Sequence, residues 1–157
     1  MLKVSIIAVG RDKDPWITEG IEHYKTLLLK YAALSITILP SVKNASALPV
    51  PELKRQEGEL FSKEMSRGGY TIALSDSGKP VDSLAFADML RRLSIESGGR
   101  VNFLIGGAYG LDDKILTSAN SVLSLSPLTM SHQVVRLVLL EQLYRGFTIL
   151  AGTAYHK

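Results

Sequence analysis

A chain of 157 residues can bury roughly 70 % of the surface that its unfolded form exposes, so one hydrophobic core suffices and folding needs no metal or covalent staple. A hydrophobic fraction of 46 % with 21 % charged residues excludes a disordered chain, and the lack of cysteine excludes disulfides, thiolate nucleophiles and cysteine-based zinc sites. Eighteen Lys plus Arg against fifteen Asp plus Glu leave a net charge of +3, which permits a polyanionic partner without demanding one.

The first apolar run, Val4 to Val9, is short and is followed by Arg11, Asp12 and Lys13, which fits a buried strand rather than a signal peptide. No run approaches the length of a membrane span, so a cytoplasmic protein is expected. LKVSIIAVG reads as that strand, closed by Gly10, and Asp14-Pro15 supplies a helix cap with proline in the first turn. Ile17, Ile21, Tyr24, Leu28 and Tyr31 then recur at steps of four and three, the core-facing stripe of a helix. Leu34 to Leu39 is a second strand, followed by an irregular stretch from Pro40 to Pro51.

Pro51 to Ser66 reads as a charged surface helix with Glu59 and Lys63 one turn apart as an ion pair. Tyr70 to Leu74 is a third strand, and SDSGKP turns the chain into a helix carrying Phe86, Met89, Leu90 and Leu93, ended by Gly98-Gly99. Val101 to Ile105 is a fourth strand with GGAYG as its exit loop; a short helix over Asp112 to Thr117, a fifth strand SVLSL and a long helix over Ser131 to Phe147 complete the chain. Strands alternating with helices predict an α/β fold: one domain, residues 1–157, with a mainly parallel sheet covered on both faces. Such sheets bind ligands at the carboxyl ends of their strands, which nominates the loops Ser75–Lys79, Gly106–Gly110 and Leu125–Met130.

The familiar site patterns are weak. GGAYG is not a dinucleotide fingerprint, and SGKP lacks the remaining glycine and the Ser or Thr of a phosphate-binding loop. Asp76 fits an ordinary Asp-Ser-Gly turn. Asp112 and Asp113 are adjacent and so point apart on a helix, where they complement its N-terminus. His23, His132 and His156 are too scattered for a metal motif or a hydrolytic triad, so no metal site is predicted. The last helix stands out. Leu137, Val138, Leu139 and Leu140 are consecutive, so its apolar surface wraps around and needs cover on more than one side, yet it also carries His132, Arg136, Glu141, Tyr144 and Arg145. Two explanations remain open on these residues alone: a core helix with a neutralised Glu141–Arg145 pair, or a subunit interface that brings two chains together near Arg136 and Arg145.

LIGGAYGL, LSLSPLTMSHQVVRLVLLEQLYRGF and the closing AYHK, together with DPW and SGKP, resemble the RlmH family of ribosomal RNA methyltransferases over essentially the whole chain. The resemblance implies a SPOUT-class fold with a C-terminal trefoil knot, a homodimer, S-adenosylmethionine as methyl donor, and N3 of a pseudouridine in 23S ribosomal RNA, within the assembled ribosome, as acceptor. It further implies a cofactor site at Leu74, Gly106, Leu125, Ser126, Pro127, Leu128, Thr129 and Met130. Within this reading Gly106 is the point where backbone meets ligand, His132, Arg136 and His156 handle the proton and the anionic base, and Arg145 and Tyr155 hold the RNA. One departure is visible: Ser131 stands where the family usually carries proline, and serine is an acceptable helix cap there. A non-catalytic RNA-binding protein and a nucleotide-dependent enzyme on small molecules are the competing readings.

Overall fold

The computed structural model describes all 157 residues. Five strands, β1 (Leu2–Val9), β2 (Ala32–Leu39), β3 (Tyr70–Pro80), β4 (Arg100–Ile105) and β5 (Ser121–Ser124), alternate with five helices, α1 (Pro15–Leu28), α2 (Val50–Met65), α3 (Ser83–Glu96), α4 (Asp113–Ser118) and α5 (His132–Leu150). The strands form one sheet in the order β2-β1-β4-β3-β5, and every neighbouring pair is parallel. The predicted irregular stretch holds a single 3-10 turn at Ala45–Ala47.

Period-two alternation on β1 explains the layering. Val4, Ile6 and Ala8 face the larger core with α1, α3 and α5, while Ile7 and Val9 face the smaller one with Phe61 of α2 and Ile115 of α4. Helices therefore pack on both faces, as expected. The predicted α1 stripe is the buried one, with Ile17, Ile21 and Leu28 inside and Tyr24 and Tyr31 against the core edge.

Three expectations need correction. Glu59 pairs with Arg55, not Lys63, because Arg55 bridges Glu52 and Glu59 on the same helical face. SDSGKP does not simply turn away: Leu74 and Lys79 both pair with Leu123, so Ser75–Gly78 bulge out of a strand that resumes through Pro80. A single chain also covers α5 from two sides. No residue of α5 before Leu150 is fully exposed, because α1 and α3 flank it, while Val134, Val135 and Val138 stay half-buried. Gly20 of α1 admits Leu137, whose Cδ1 lies 2.8 Å from where a Cβ would stand, and Gly146 of α5 admits Leu90 in the same way at 2.9 Å. The wrap-around apolar surface is thus mostly absorbed within one chain.

Candidate active site

The carboxyl ends of β3, β4 and β5 converge on a cleft of about 760 Å³, which falls in the range of small-molecule sites. The β3 bulge contributes Leu74 to Ser77, the β4 exit contributes Ile105 to Leu111, and the segment after β5 contributes Leu125, Ser126, Leu128, Thr129 and Met130. Every residue predicted for the cofactor lines this cleft except Pro127, which lies within the turn and off the wall. Aliphatic walls beside hydroxyls and backbone groups suit a ligand with both a flat ring and a polar chain.

Asp76 does more than the turn assigned to it. Its carboxylate accepts a hydrogen bond from Thr129 Oγ1 at 3.0 Å and its carbonyl accepts one from Ser124 Oγ at 3.3 Å, tying the bulge to the segment that leaves β5. Sequence gave no sign of this beyond an acidic residue at a strand end. Gly106 is required for a reason beyond the predicted one. A Cβ there would lie 2.6 Å from the carbonyl carbon of Gly110, so the loop's own backbone already excludes a side chain. The loop is closed on itself by the Gly107–Gly110 bridge. Lys54, Asp113 and Val135 also reach the cleft and were not foreseen.

His132, in the first turn of α5, is the one histidine on the cleft wall. Burial pushes its imidazole below the ordinary range, and the neighbouring Arg136 guanidinium adds to that, more than Asp12 opposes it. It is therefore neutral at pH 7 and able to accept a proton. The turn that presents it is capped by Ser131, whose Oγ accepts from the Val134 amide at 3.2 Å, so the serine does serve as a cap.

Arg136 does not face this space. Only 1 % of it is exposed, and its guanidinium donates to Asp12 Oδ1 at 2.6 Å and to the carbonyls of Val9 and Gly10 at 2.7 and 2.6 Å. Its Nε has no partner. With both terminal nitrogens engaged and the side chain buried, the guanidinium bolts α5 to the end of β1 and does not reach a substrate anion, which corrects the role expected of it. Its effect on the site is indirect: it sets His132, one turn earlier, beside Gly10.

The remaining predicted residues form a second cluster at the other end of α5. Arg145 pairs with Glu141 at 2.6 Å and lies over the Tyr155 ring at 4.7 Å, and Tyr155 donates its hydroxyl to Glu141 at 3.1 Å. Tyr155 also meets Tyr144 edge-on, and His156 Nδ1 is 3.4 Å from Arg145. Burial first, with Tyr24 and Glu141 contributing, pushes the Tyr155 phenol up to about 12, so it stays protonated. The tail is folded back on α5 through Thr153, which donates twice to the Thr148 carbonyl. Thirteen residues of helix at 1.5 Å each put Arg145 about 20 Å along the axis from His132. One chain therefore does not bring His132 together with Arg145, Tyr155 and His156.

Comparison with known proteins identifies the family. A family profile described as "Predicted SPOUT methyltransferase" matches residues 2–156. The chain is 36 % identical over 159 aligned positions to the ribosomal RNA large subunit methyltransferase H of Halothermothrix orenii, covering 99 % of this chain and 100 % of that one. It is 38 % identical, with the same coverage, to the enzyme of that name from Alkaliphilus oremlandii. Among solved structures, a probable methyltransferase from Bordetella pertussis Tohama I superposes with a TM-score of 0.60 at 14 % identity, covering 93 % of this chain and 96 % of that one, which supports the fold. Full-length identity at this level, on top of a cleft built from the three expected loops, places the chain in the SPOUT methyltransferases, within the ribosomal RNA large subunit methyltransferase H family.

Proposed function

We propose that this chain, acting as one domain of 157 residues, methylates N3 of a pseudouridine in 23S ribosomal RNA on the assembled ribosome in the cytoplasm, and that it does so as a homodimer with composite sites. Family membership makes it an S-adenosylmethionine-dependent methyltransferase of large-subunit ribosomal RNA. The cleft residues fit that donor: Leu74, Leu125 and Leu128 offer apolar enclosure, and the backbone of the 106–110 and 125–130 loops offers hydrogen bonds. Membership of the SPOUT methyltransferases supports a C-terminal trefoil knot.

A bound S-adenosylmethionine supplies an electrophilic methyl group on a sulfonium. The protein's own part is to remove the imide proton of the base, stabilise the resulting anion and align its nitrogen. Neutral His132 on the cleft wall is the proton acceptor. Arg145, held by Glu141 through two of its nitrogens, has its third beside His156 to turn toward the anion or a phosphate, with His156 there to relay a proton and Tyr155 to stack on a base.

The observation that carries the dimer is the separation of these groups. His132 and the cleft occupy one end of α5, and the Arg145–Tyr155–His156 cluster lies about 20 Å away at the other. Two α5 helices packed antiparallel would set the tail of each chain beside the cleft of the other.

A complementation assay tests this reading. His132→Ala leaves the tail intact, and truncation after Gly152 leaves the cleft intact, so each alone is expected to lose about a hundredfold or more in transfer to ribosomes. Co-expressed, they form mixed dimers in which one of the two sites is complete. Random pairing then restores about a quarter of wild-type activity. No recovery in isolated mixed dimers would remove the composite site.

A further inference from the structure

A second groove, of about 640 Å³, lies on the same sheet face as α2, beside the last turn of that helix, which contributes Glu64, and runs over β1, β2 and the start of β4. Parallel sheets are ordinarily covered on both faces. Here α2 and α4 cover only the half bearing Ile7, Val9, Leu39 and Leu104, and the rest stays open. The open half is mixed, with Leu29, Ala32 and Leu34 bordering it beside polar groups. Ser5, Ser35 and Thr37 lie on its floor, Ser35 donating to Ser5 at 3.1 Å, and Lys3, Arg100 and Arg67 surround it, with Glu64 as its one carboxylate.

Lys3 and Arg100 are register partners on adjacent parallel strands. Two like charges in this position repel at a separation near 4.8 Å between strands. Neither takes part in an ion pair. Glu64 is engaged by Arg67 at 2.9 Å. Arg100 is also held in place, donating to the Arg67 carbonyl at 3.3 Å while its stem passes over Gly69. The fold thus positions a pair of uncompensated cations above a floor of hydroxyls.

We propose that this groove binds a stretch of ribosomal RNA sugar-phosphate backbone remote from the methylated nucleotide. The inference rests on the RNA methyltransferase reading and extends it to a second contact. Phosphate oxygens would neutralise Lys3 and Arg100, and the Ser and Thr hydroxyls match ribose 2′-hydroxyls. A symmetric second copy is the wrong occupant, because it would set the same cations against each other. Six residues of β1 separate Lys3 from Val9 at the cleft end of the sheet, about 20 Å. The groove therefore reads RNA that only a large folded substrate presents, which fits a protein whose modest net charge gives little general affinity for RNA.

The test compares full-length wild type with Lys3→Ala/Arg100→Ala on unmodified large ribosomal subunits, in salt titrations. The double variant is expected to raise KM for subunits about tenfold and to lower the slope of log KM against log salt by about 1.5, the value for two lost phosphate contacts. Turnover at saturation and S-adenosylmethionine affinity should stay within about twofold, and melting should be unchanged or raised because a like-charge pair is gone. Unchanged KM and salt slope overturn the proposal. Lys3→Gln/Arg100→Gln serves the same comparison if the alanine pair does not fold. Should the wild type transfer no methyl group to subunits, the functional reading falls separately, and filter binding to polyuridylate still decides the groove: equal binding by wild type and variant overturns it. Loss of polyglutamate binding with polyuridylate binding retained overturns it in favour of an acidic peptide.

Discussion

Replacing Arg136 with methionine separates the two roles that this residue could play. Methionine keeps much of the apolar stem and fills irregular space, so the change isolates the guanidinium. In the native chain that group satisfies Asp12 and two main-chain carbonyls, with Arg136 itself 1 % exposed and Asp12 only partly open to water. Removing it strands a carboxylate and orphans the Val9 and Gly10 carbonyls. Breaking a buried pair of this kind costs about 3–5 kcal/mol, and water reaching Asp12 places the expected value toward the lower end. For a domain of this size each kcal/mol moves the melting temperature by about 2–4 °C, so Arg136→Met should melt about 10 °C lower. Urea unfolding gives the free energy directly, and a double-mutant cycle with Asp12→Asn should return a large coupling energy. At a temperature where the variant is folded, S-adenosylmethionine binding should persist. A variant that melts within about 2 °C of wild type yet transfers no methyl group would refute the reasoning and return Arg136 to the substrate.

The α5 cap and the His132 titration give two further tests. Ser131→Ala removes the acceptor for the Val134 amide and should cost about 1 kcal/mol in urea unfolding; no loss would mean that water replaces the cap without penalty. His132 has a folded pKa below its ordinary 6.5, so the unfolded chain binds the proton more readily. The contribution of neutral His132 is present above pH 6.5 and is lost as pH falls through that value toward the folded pKa. His132→Gln should therefore flatten the fall in stability between about pH 7 and pH 5 relative to wild type. Parallel profiles for the two proteins would show that the imidazole is freely solvated.

Local patterning was enough for much of this molecule. Alternation on β1, the three-and-four spacing of Ile17, Ile21 and Leu28, and the turn residues between them specify strands and helices through neighbours a few residues away. Alternating elements in turn imply a parallel sheet with ligand loops at its carboxyl end, and the signature around Ser126 to His132 led to the loops that form the cleft. What sequence could not supply was the pairing of groups far apart in the chain. Arg136 looks the same on paper whether it faces RNA or Asp12, and its partners lie 124 to 127 residues away. Asp76 gains its role only when Thr129 arrives beside it, and Lys3 and Arg100 become neighbours only because β4 pairs with β1. Charge and hydrogen-bonding capacity belong to the side chain, but whether they are spent internally or left for a ligand depends on distances that only the assembled sheet sets.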